Sequence, residues 1–322
     1  MTSRPSSARL ILGTAFLTTA LFAAACGGDE TVEDAATEAS GAVGDAASDA
    51  TSEAGDAASE SGAADFAEGS TMAALAEAGA IRVGTKFDQP GFGLQNLDGV
   101  PEGFDVEIAK IIAEELGIPE DGITYTETPS KIREEVLETD QVDVVVATYT
   151  INDERRKRIT FAGPYYVAGQ SLMVRSDEER VSGPEDLSDT AIRVCSVDGS
   201  TPSENIREYL GDEAAQLTLF DVYSKCAEAL AANQVDVVTT DNVILLGLVA
   251  QSEGAFTLVG DEFTEEPYGI GVTKGDVEFC EFINDTLAAA AEDGRYGEAW
   301  ASTAGEIEGA TEPELPPADD CS

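Results

Sequence analysis

The sequence predicts an α/β protein of two lobes, each a mainly parallel sheet flanked by helices, with a cleft between the lobes. From residue 72 onward, short apolar strands alternate with amphipathic helices, an order typical of parallel sheets covered by helices. A helix that leads into a valine-rich strand, residues 135–145, recurs 93 residues later as residues 228–238. The recurrence predicts two lobes of similar topology, and ligands bind at the carboxyl ends of such strands.

The elements of the first lobe follow from local hydrophobic periodicity. Val106, Ile108 and Ile112 recur near helical spacing, and Gly117 ends that helix. The valine-rich run after Gln141 indicates a buried strand. The predicted elements, in chain order, are a strand at 81–85, a helix at 104–116, a strand at 123–128, a helix at 131–138 and a strand at 142–147.

Two later segments, residues 165–175 and 256–273, are predicted to cross between the lobes. Residues 277–300 should form one long helix that packs on the first lobe. The crossings divide the folded part of the chain. The first lobe is predicted to comprise residues 72–167 and 266–322, and the second lobe residues 168–265.

Composition excludes several classes of function. The net charge is −45, from 63 acidic and 18 basic residues, so nucleic acid and anionic membrane surfaces would be repelled. The sequence contains no histidine, which excludes a Ser-His-Asp triad, a Cys-His pair and a His-ligated zinc site. We therefore expect no nucleic-acid partner, no metal site and no cofactor.

The N-terminus has the pattern of a targeting segment. Arg4 and Arg9 precede an apolar run at residues 10–25, which is short for a permanent membrane span. The run ends in Ala-Ala-Ala-Cys26-Gly, which resembles the lipobox of bacterial lipoproteins, in which the cysteine is acylated. Residues 1–25 are therefore predicted to be a lipoprotein signal peptide and Cys26 the lipidated residue. The alternative is an ordinary signal peptide with an incidental cysteine.

Residues 26–68 are predicted to form an acidic, low-complexity tether. They are nearly all Ala, Gly, Ser, Thr, Asp and Glu, a composition that buries too little apolar surface to offset the entropy of ordering. A flexible segment of this length spans roughly 35 Å root-mean-square, enough to hold a domain clear of a membrane.

Four cysteines remain after Cys26, and an even number in an exported chain indicates disulfides. Three pairings are possible. We favour Cys195 with Cys226 and Cys280 with Cys321, the second of which would hold the C-terminal tail.

Three segments carry a resemblance to a known family. They read GVPEGFDVEIAKIIAEELG, QVDVVVATYTINDERRKRITFAGPYY, and VCSVDGSTPSENI followed by QVDVVTTDN. They resemble the polar amino acid ABC-transporter solute-binding proteins (family 3 extracellular solute-binding proteins), and the resemblance covers nearly all of residues 72–300. The segment GTKFDQPGFGL resembles the glutamate-binding lipoproteins of actinobacterial type.

The resemblance implies a two-lobe, periplasmic-binding-protein-like fold of type II that closes on its ligand by hinge motion. It implies a monomeric binding protein without enzymatic activity, held outside the cytoplasm on the cell membrane by its lipid. The implied ligand is L-glutamate or L-aspartate, and the implied partner is the permease of an ABC transporter. The alternatives are a glutamine- or other polar amino acid-binding protein, and a dehydratase-like enzyme on the same fold that uses Asp88 or Glu102.

The resemblance assigns the ligand's α-carboxylate to the first lobe. Arg155, within the segment TYTINDER, would grip it together with Thr150 and backbone N–H groups, and Thr148 is implied to be a further ligand-binding residue. A guanidinium suits this role because it matches a carboxylate with two parallel hydrogen bonds. The alternative is that Arg155 belongs only to an exposed basic run at residues 155–158.

Three residues of the second lobe are implied to complete the site. Asp241 would pair with the α-ammonium, and the loop at Ser200 and Thr201 would close on the α-carboxylate. For each of them the alternative is a helix-capping role, which is common for Asp, Ser and Thr.

Selectivity for an acidic side chain is implied by three further residues. Lys86 follows the first strand. Arg133 matches an arginine that contacts the side-chain carboxylate in glutamate and aspartate binders, and Ser130 matches the serine that neighbours that arginine. The alternatives are a solvated Lys86 and a surface Arg133 paired with Glu134 or Glu135, a pairing of little energetic weight.

Overall fold

Thirteen strands and ten α-helices occur along residues 66–321, the part of the chain that the computed structural model describes. The strands are β1 (Ile81–Thr85), β2 (Asp88–Gln89), β3 (Gly93–Gln95), β4 (Pro101–Glu102), β5 (Ile123–Glu127), β6 (Val144–Val145), β7 (Thr160–Ala168), β8 (Gln170–Arg175), β9 (Val194–Val197), β10 (Leu217–Phe220), β11 (Val237–Asp241), β12 (Phe256–Val259) and β13 (Glu266–Val272). The helices are α1 (Thr71–Ala78), α2 (Phe104–Glu115), α3 (Arg133–Glu138), α4 (Asp153–Arg156), α5 (Thr201–Asn205), α6 (Glu213–Gln216), α7 (Tyr223–Ala231), α8 (Asn242–Gln251), α9 (Val277–Asp293) and α10 (Arg295–Ala301).

The strands form two five-stranded sheets and one small three-stranded sheet. The first sheet has the order β5-β1-β6-β13-β7, and the second has the order β10-β9-β11-β8-β12. In each sheet the first three strands are parallel and the remaining pairs are antiparallel. The antiparallel strands β7, β8, β12 and β13 are those by which the chain passes between the sheets. Each large sheet with its helices is called a lobe below, and the first lobe carries the first sheet.

The repeated sequence segments occupy corresponding places in the two sheets. Residues 135–145 run from α3 into β6, and residues 228–238 run from α7 into β11. Strands β6 and β11 are each third in the order of their sheet and pair with a parallel neighbour. Side chains that follow the carboxyl ends of these two strands are therefore placed to form one site.

Three elements differ from those predicted by more than one residue. The helix predicted at residues 131–138 is α-helical only from Arg133, after a 3-10 turn at Ser130–Ile132. The helix predicted at residues 277–300 is two helices, because Gly294 adopts a left-handed conformation with φ 97° that ends α9 before α10 begins. The strand predicted at residues 142–147 is paired only at Val144–Val145. Val142, Val146 and Ala147 on either side remain buried, and the chain then turns at Thr148, whose φ is 44°.

Aromatic side chains form the centre of the first lobe's core. Trp300 of α10 stacks on Tyr166 with 5.3 Å between the ring centres, and Phe92 meets both rings edge-on. Such pairs contribute about 0.5–1.5 kcal/mol each beyond the area they bury. The C-terminal helix is thereby fixed next to β7, the strand from which the chain crosses to the second lobe.

The structure contains both disulfides that the sequence favours. Cys195–Cys226 joins β9 to α7 in the second lobe, and Cys280–Cys321 ties the C-terminal tail to α9. The backbone amide of Asp319 also donates to a carbonyl of β7 at 2.7 Å. The tail is therefore attached to the first lobe.

The predicted signal peptide at residues 1–25, the predicted lipidation site Cys26 and most of the predicted tether lie outside the described residues. The tether was predicted to extend to residue 68, but Phe66 packs edge-on against Phe282 of the first lobe, with 5.5 Å between ring centres. The folded part of the chain therefore includes the last residues of that segment. No helix within residues 66–321 is both long and apolar enough to cross a bilayer.

Candidate functional site

Side chains from both lobes line one small buried space where β6 and β11 end. Its volume is about 10 Å³, the room for roughly one water molecule. Of the nine predicted ligand-binding residues, seven line this space, and Lys86 and Arg155 are buried close to it. The lining residues are Gln89, Ser130, Arg133, Thr148, Thr150, Ser200, Thr201, Pro202, Tyr223, Asp241 and Ile244.

Arg133 is a buried cation with no carboxylate partner among residues 66–321. Arg133 is the first residue of α3. One of its guanidinium nitrogens, Nη1, donates to the carbonyls of Ala147 and Thr148 at 2.7 and 3.3 Å. The guanidinium lies 4.3 Å from the centre of the Tyr149 ring, and its Nε has no hydrogen-bond partner. A surface pairing with Glu134 or Glu135 is therefore wrong for this arginine, whose remaining donors are open to an anion.

Arg155 is also buried, but its donors are engaged. Its Nη1 donates to the Thr150 carbonyl at 2.5 Å, and its Nη2 donates to the Gly199 carbonyl of the second lobe at 3.1 Å. Its Nε lies 3.4 Å from a carboxylate oxygen of Glu134. Burial lowers the pKa of Arg155 to about 10, and the positive charge of Arg133 adds to the effect. The expectation of a merely exposed basic residue is therefore wrong for Arg155.

Lys86 is buried behind the space rather than in its lining. Its Nζ lies 3.3 Å from Oδ1 of Asp88, although the two do not meet in hydrogen-bond geometry. Burial lowers the pKa of the lysine, and Asp88 opposes that effect. The ammonium lies 6.0 Å from the centre of the Tyr223 ring, which lines the space. A solvated Lys86 is therefore excluded. Its ammonium acts on the space from a distance, because it contacts the lining residue Tyr223 and does not line the space itself.

Asp241 has one carboxylate oxygen without a hydrogen-bond partner. Its Oδ2 accepts a hydrogen bond from the Tyr268 hydroxyl at 2.6 Å, whereas its buried Oδ1 has no partner. Burial raises the pKa of Asp241 to about 8, and the negative charge of Glu266 adds to the rise. Although Asp241 precedes α8, its side chain makes no capping hydrogen bond. The unpaired oxygen suits a cationic guest.

The loop before α5 supplies hydroxyl groups from the second lobe. The Ser200 side chain accepts from the Ser203 amide at 3.1 Å, so the helix-capping alternative is correct for Ser200. The Thr201 hydroxyl donates to Glu266 Oε2 at 2.7 Å and lies 3.1 Å from the Thr150 hydroxyl of the first lobe. Both residues also line the space, so capping and ligand contact are compatible.

Several residues of the site were not predicted from the sequence. Gln89 accepts from the Thr148 hydroxyl at 3.0 Å, and Tyr223 lines the space from α7. Asp105, whose pKa burial raises to about 7, accepts from the Thr148 amide at 2.8 Å and holds that residue in its left-handed conformation. Such a conformation is rare for a β-branched residue and concentrates at functional sites. The positive φ is a backbone signal that no sequence pattern carries.

A larger groove of about 1090 Å³ lies between α8 and the C-terminal segment. Its lining contains four glutamates, at residues 102, 107, 306 and 308, and no lysine or arginine. It therefore lacks the paired charges of the smaller space, which we take as the candidate site.

Residues 81–302 match the bacterial extracellular solute-binding proteins, family 3. The chain belongs to this family. It is 41% identical over 237 residues to the glutamate-binding protein GluB of Corynebacterium efficiens, a match that covers 71% of this chain and 80% of the relative. It is 39% identical over 229 residues to the ABC transporter glutamine-binding protein GlnH of Bacillus subtilis, covering 71% of this chain and 82% of the relative.

A solved structure of an ancestral arginine-binding protein bound to glutamine has a TM-score of 0.65 with the solute-binding protein and 33% sequence identity. The match covers 70% of this chain and 97% of that one. The fold is therefore the two-lobe, type II periplasmic-binding-protein fold. The family is extracellular, and the two sequence relatives named above are binding proteins rather than enzymes.

Contacts across the cleft show that the solute-binding protein is in a closed arrangement. Besides the hydrogen bond from Arg155 to Gly199, Lys131 Nζ lies 2.5 Å from Asp198 Oδ2 in an exposed ion pair. Exposed pairs of this kind contribute at most about 1 kcal/mol. A free amino acid is much larger than the remaining space, so entry requires the lobes to separate.

Gly247 permits one of the closest approaches of the lobes, and Gly247→Ala should favour the open arrangement. A Cβ there would lie 2.6 Å from the Pro90 carbonyl oxygen of the first lobe, although alanine suits the helical conformation of α8 better than glycine does. We expect a larger radius of gyration by small-angle X-ray scattering and no loss of thermal stability. Gly297→Ala in α10 is the matched control, because its nearest neighbour is 3.9 Å away. Equal radii for the two variants would contradict the prediction.

Proposed function

We propose that this solute-binding protein captures an acidic amino acid, glutamate or its shorter homologue aspartate, and delivers it to the permease of an ABC importer. The observation that carries the proposal is the charge pattern of one buried space. Its lining combines Arg133, a cation without a carboxylate partner among the described residues, with Asp241, an acid that has an unpaired oxygen. The identity to a glutamate-binding protein supports the same ligand class.

We assign the three charged groups of glutamate to three parts of the site. The α-carboxylate binds to Arg155, Thr150 and the loop at Ser200 and Thr201. To bind it, Arg155 gives up hydrogen bonds to its carbonyl partners. The open Oδ1 of Asp241 receives the α-ammonium. The side-chain carboxylate lies against the free donors of Arg133, beside Ser130. Lys86 adds positive potential from behind the Tyr223 ring, and Thr148 shapes the first-lobe wall.

Hinge closure brings the groups of both lobes onto the ligand and excludes water from their contacts. Charged hydrogen bonds contribute about 1.5–3 kcal/mol each, and they gain strength when closure excludes water. We propose that the hinge joins a first lobe of residues 72–167 and 266–322 to a second lobe of residues 168–265. The membership of the two sheets supports these boundaries.

Calorimetry with glutamate, aspartate, glutamine and arginine tests the proposed function. We expect glutamate or aspartate to bind at least tenfold more tightly than glutamine, and arginine to bind weakest because Arg133 repels a second guanidinium. Tighter binding of glutamine would support the second candidate, a glutamine-binding protein, which the identity to GlnH favours. Tighter binding of arginine than of either acid would overturn the charge assignment itself.

We propose that the protein acts as a monomer outside the cytoplasm and is held at the cell membrane by lipid on Cys26. Membership of an extracellular family and two disulfides support export, since structural disulfides persist in oxidising compartments. We also propose binding without turnover. The buried acids of the site serve as hydrogen-bond acceptors for Tyr268 and Thr148, and the sequence relatives are named as binding proteins.

A further inference from the structure

Glu266 is a buried carboxylate that receives side chains of the opposite lobe. It begins β13 of the first sheet and is 2% exposed. Its Oε2 accepts from the Thr201 hydroxyl at 2.7 Å, and its Oε1 accepts from the Asn205 side-chain amide at 3.0 Å. Both donors belong to α5 of the second lobe. Thr264 adds a third hydrogen bond, to Oε1 at 2.9 Å.

The position of Glu266 is that of the hinge. In the β7–β13 pairing, Glu266 lies opposite Ala168, the last residue of β7 before the chain crosses to the second lobe. The return crossing ends at Glu266 itself. Both connections between the lobes therefore meet at this carboxylate.

One of the residues that donate to Glu266 also lines the candidate site. Thr201 lines the buried space, and its hydroxyl also meets that of Thr150 in the first lobe. Ser200, one residue earlier, lines the same space and caps α5. The orientation of this helix start depends on what holds Thr201 and Asn205.

We propose that Glu266 is a positioning residue that clasps α5 across the hinge and sets the α5 loop in place for the ligand's α-carboxylate. The proposal rests on the proposed function as far as the ligand is concerned. The clasp itself is a contact between the lobes and exists without a ligand. The charge of the carboxylate matters, because hydrogen bonds to an ionised acceptor are stronger than those to a neutral amide, and an amide would keep all of them only if the Thr201 hydroxyl reversed and accepted.

The charge of Glu266 has a second consequence that a purely mechanical contact would lack. It lies close enough to Asp241 to raise the pKa of that residue, second only to burial. The other groups around Asp241 act in the opposite direction, since Tyr268 donates to it and Arg133 and Arg155 carry positive charge. Removing the charge of Glu266 should therefore lower the pH above which Asp241 is ionised and able to bind an ammonium.

Glu266→Gln tests the clasp, with Glu265→Gln as a matched control because Glu265 is the exposed neighbour. Hydrogen exchange of the α5 amides, without ligand, should be faster in Glu266→Gln and unchanged in the control. Glutamate affinity should fall about tenfold or more. Its dependence on pH should shift to lower pH. Asn205→Ala removes one clasp donor and should give a smaller change in exchange, which keeps the test decisive if Glu266→Gln folds poorly.

Two results separate this inference from the proposed function. If wild type binds glutamate and Glu266→Gln keeps the same affinity, pH dependence and α5 exchange, the clasp is wrong. If wild type binds no amino acid, the proposed function is wrong, and the exchange of α5 alone decides whether Glu266 holds the lobes together.

Discussion

Arg133→Met should abolish the preference for glutamate over glutamine. Arg133 is the buried cation of the site whose ion-pair partner is missing among residues 66–321, so a ligand carboxylate is its natural counter-charge. Loss of one partner of a desolvated charge pair costs about 2–5 kcal/mol, equivalent to roughly 30-fold to several thousandfold in affinity. Glutamine should lose much less, because its amide carries no charge to neutralise.

Two further variants make this selectivity measurement decisive. Arg133→Lys keeps the charge but loses the planar fork, so it should retain part of the preference for the acid. Arg295→Met replaces an arginine of α10 that pairs with Asp293, far along the chain from the site, and should leave the preference unchanged. Thermal unfolding of each variant shows whether loss of the Ala147 and Thr148 contacts disturbs the fold. An unaltered ratio of glutamate to glutamine affinity in a folded Arg133→Met would remove Arg133 from the site.

Asp241→Asn should nearly eliminate amino acid binding while it stabilises the ligand-free protein at alkaline pH. The ammonium would lose its charged acceptor, again a loss of about 2–5 kcal/mol. Packing should change little, because the asparagine oxygen can still accept from Tyr268. Calorimetry of the variant with glutamate measures the first effect.

The stability effect follows from the raised pKa of Asp241. A folded-state pKa of about 8 lies above the ordinary value of 3.8, so the folded state binds the proton more tightly than the unfolded chain. The stability from this group is fully present below about pH 4 and is lost as pH rises towards 8. Each pH unit in that window lowers wild-type stability by up to about 1.4 kcal/mol relative to Asp241→Asn. Asp105, with a pKa of about 7, adds a similar slope that the variant keeps.

Urea unfolding of both proteins at pH 5 and pH 8 checks the sign. The stability advantage of Asp241→Asn should grow between the two pH values, and a difference that stays constant would contradict the linkage. Asp236→Asn is a control of opposite sign. Burial acts against ionisation of Asp236, but hydrogen bonds from Arg193 and Arg180 outweigh it and hold its pKa below the usual range. Its replacement should therefore destabilise the protein above about pH 4.

Local pattern was sufficient for much of this architecture. Apolar spacing at residues 104–116 and the valine-rich segments before Thr148 and Asp241 place helices and strands, because these depend on neighbours a few residues apart. The same pattern could not reveal the break at Gly294, since a glycine within a helical pattern is tolerated or terminal according to its surroundings. The short pairing of β6 likewise depends on where the chain must turn towards Asp105.

By itself, the sequence determined that two α/β lobes form and that cationic and acidic side chains follow their strands into one cleft. It did so because hydrophobic period and strand ends are properties of short segments. Only the tertiary structure decided which charges remain available. It pairs Lys86 with Asp88 and Arg155 with Glu134, and it leaves Arg133 and one oxygen of Asp241 open. Whether two such charged groups pair depends on how the chain packs and on whether the groups are buried. Packing therefore determines whether a charge is neutralised within the protein or remains available to a ligand.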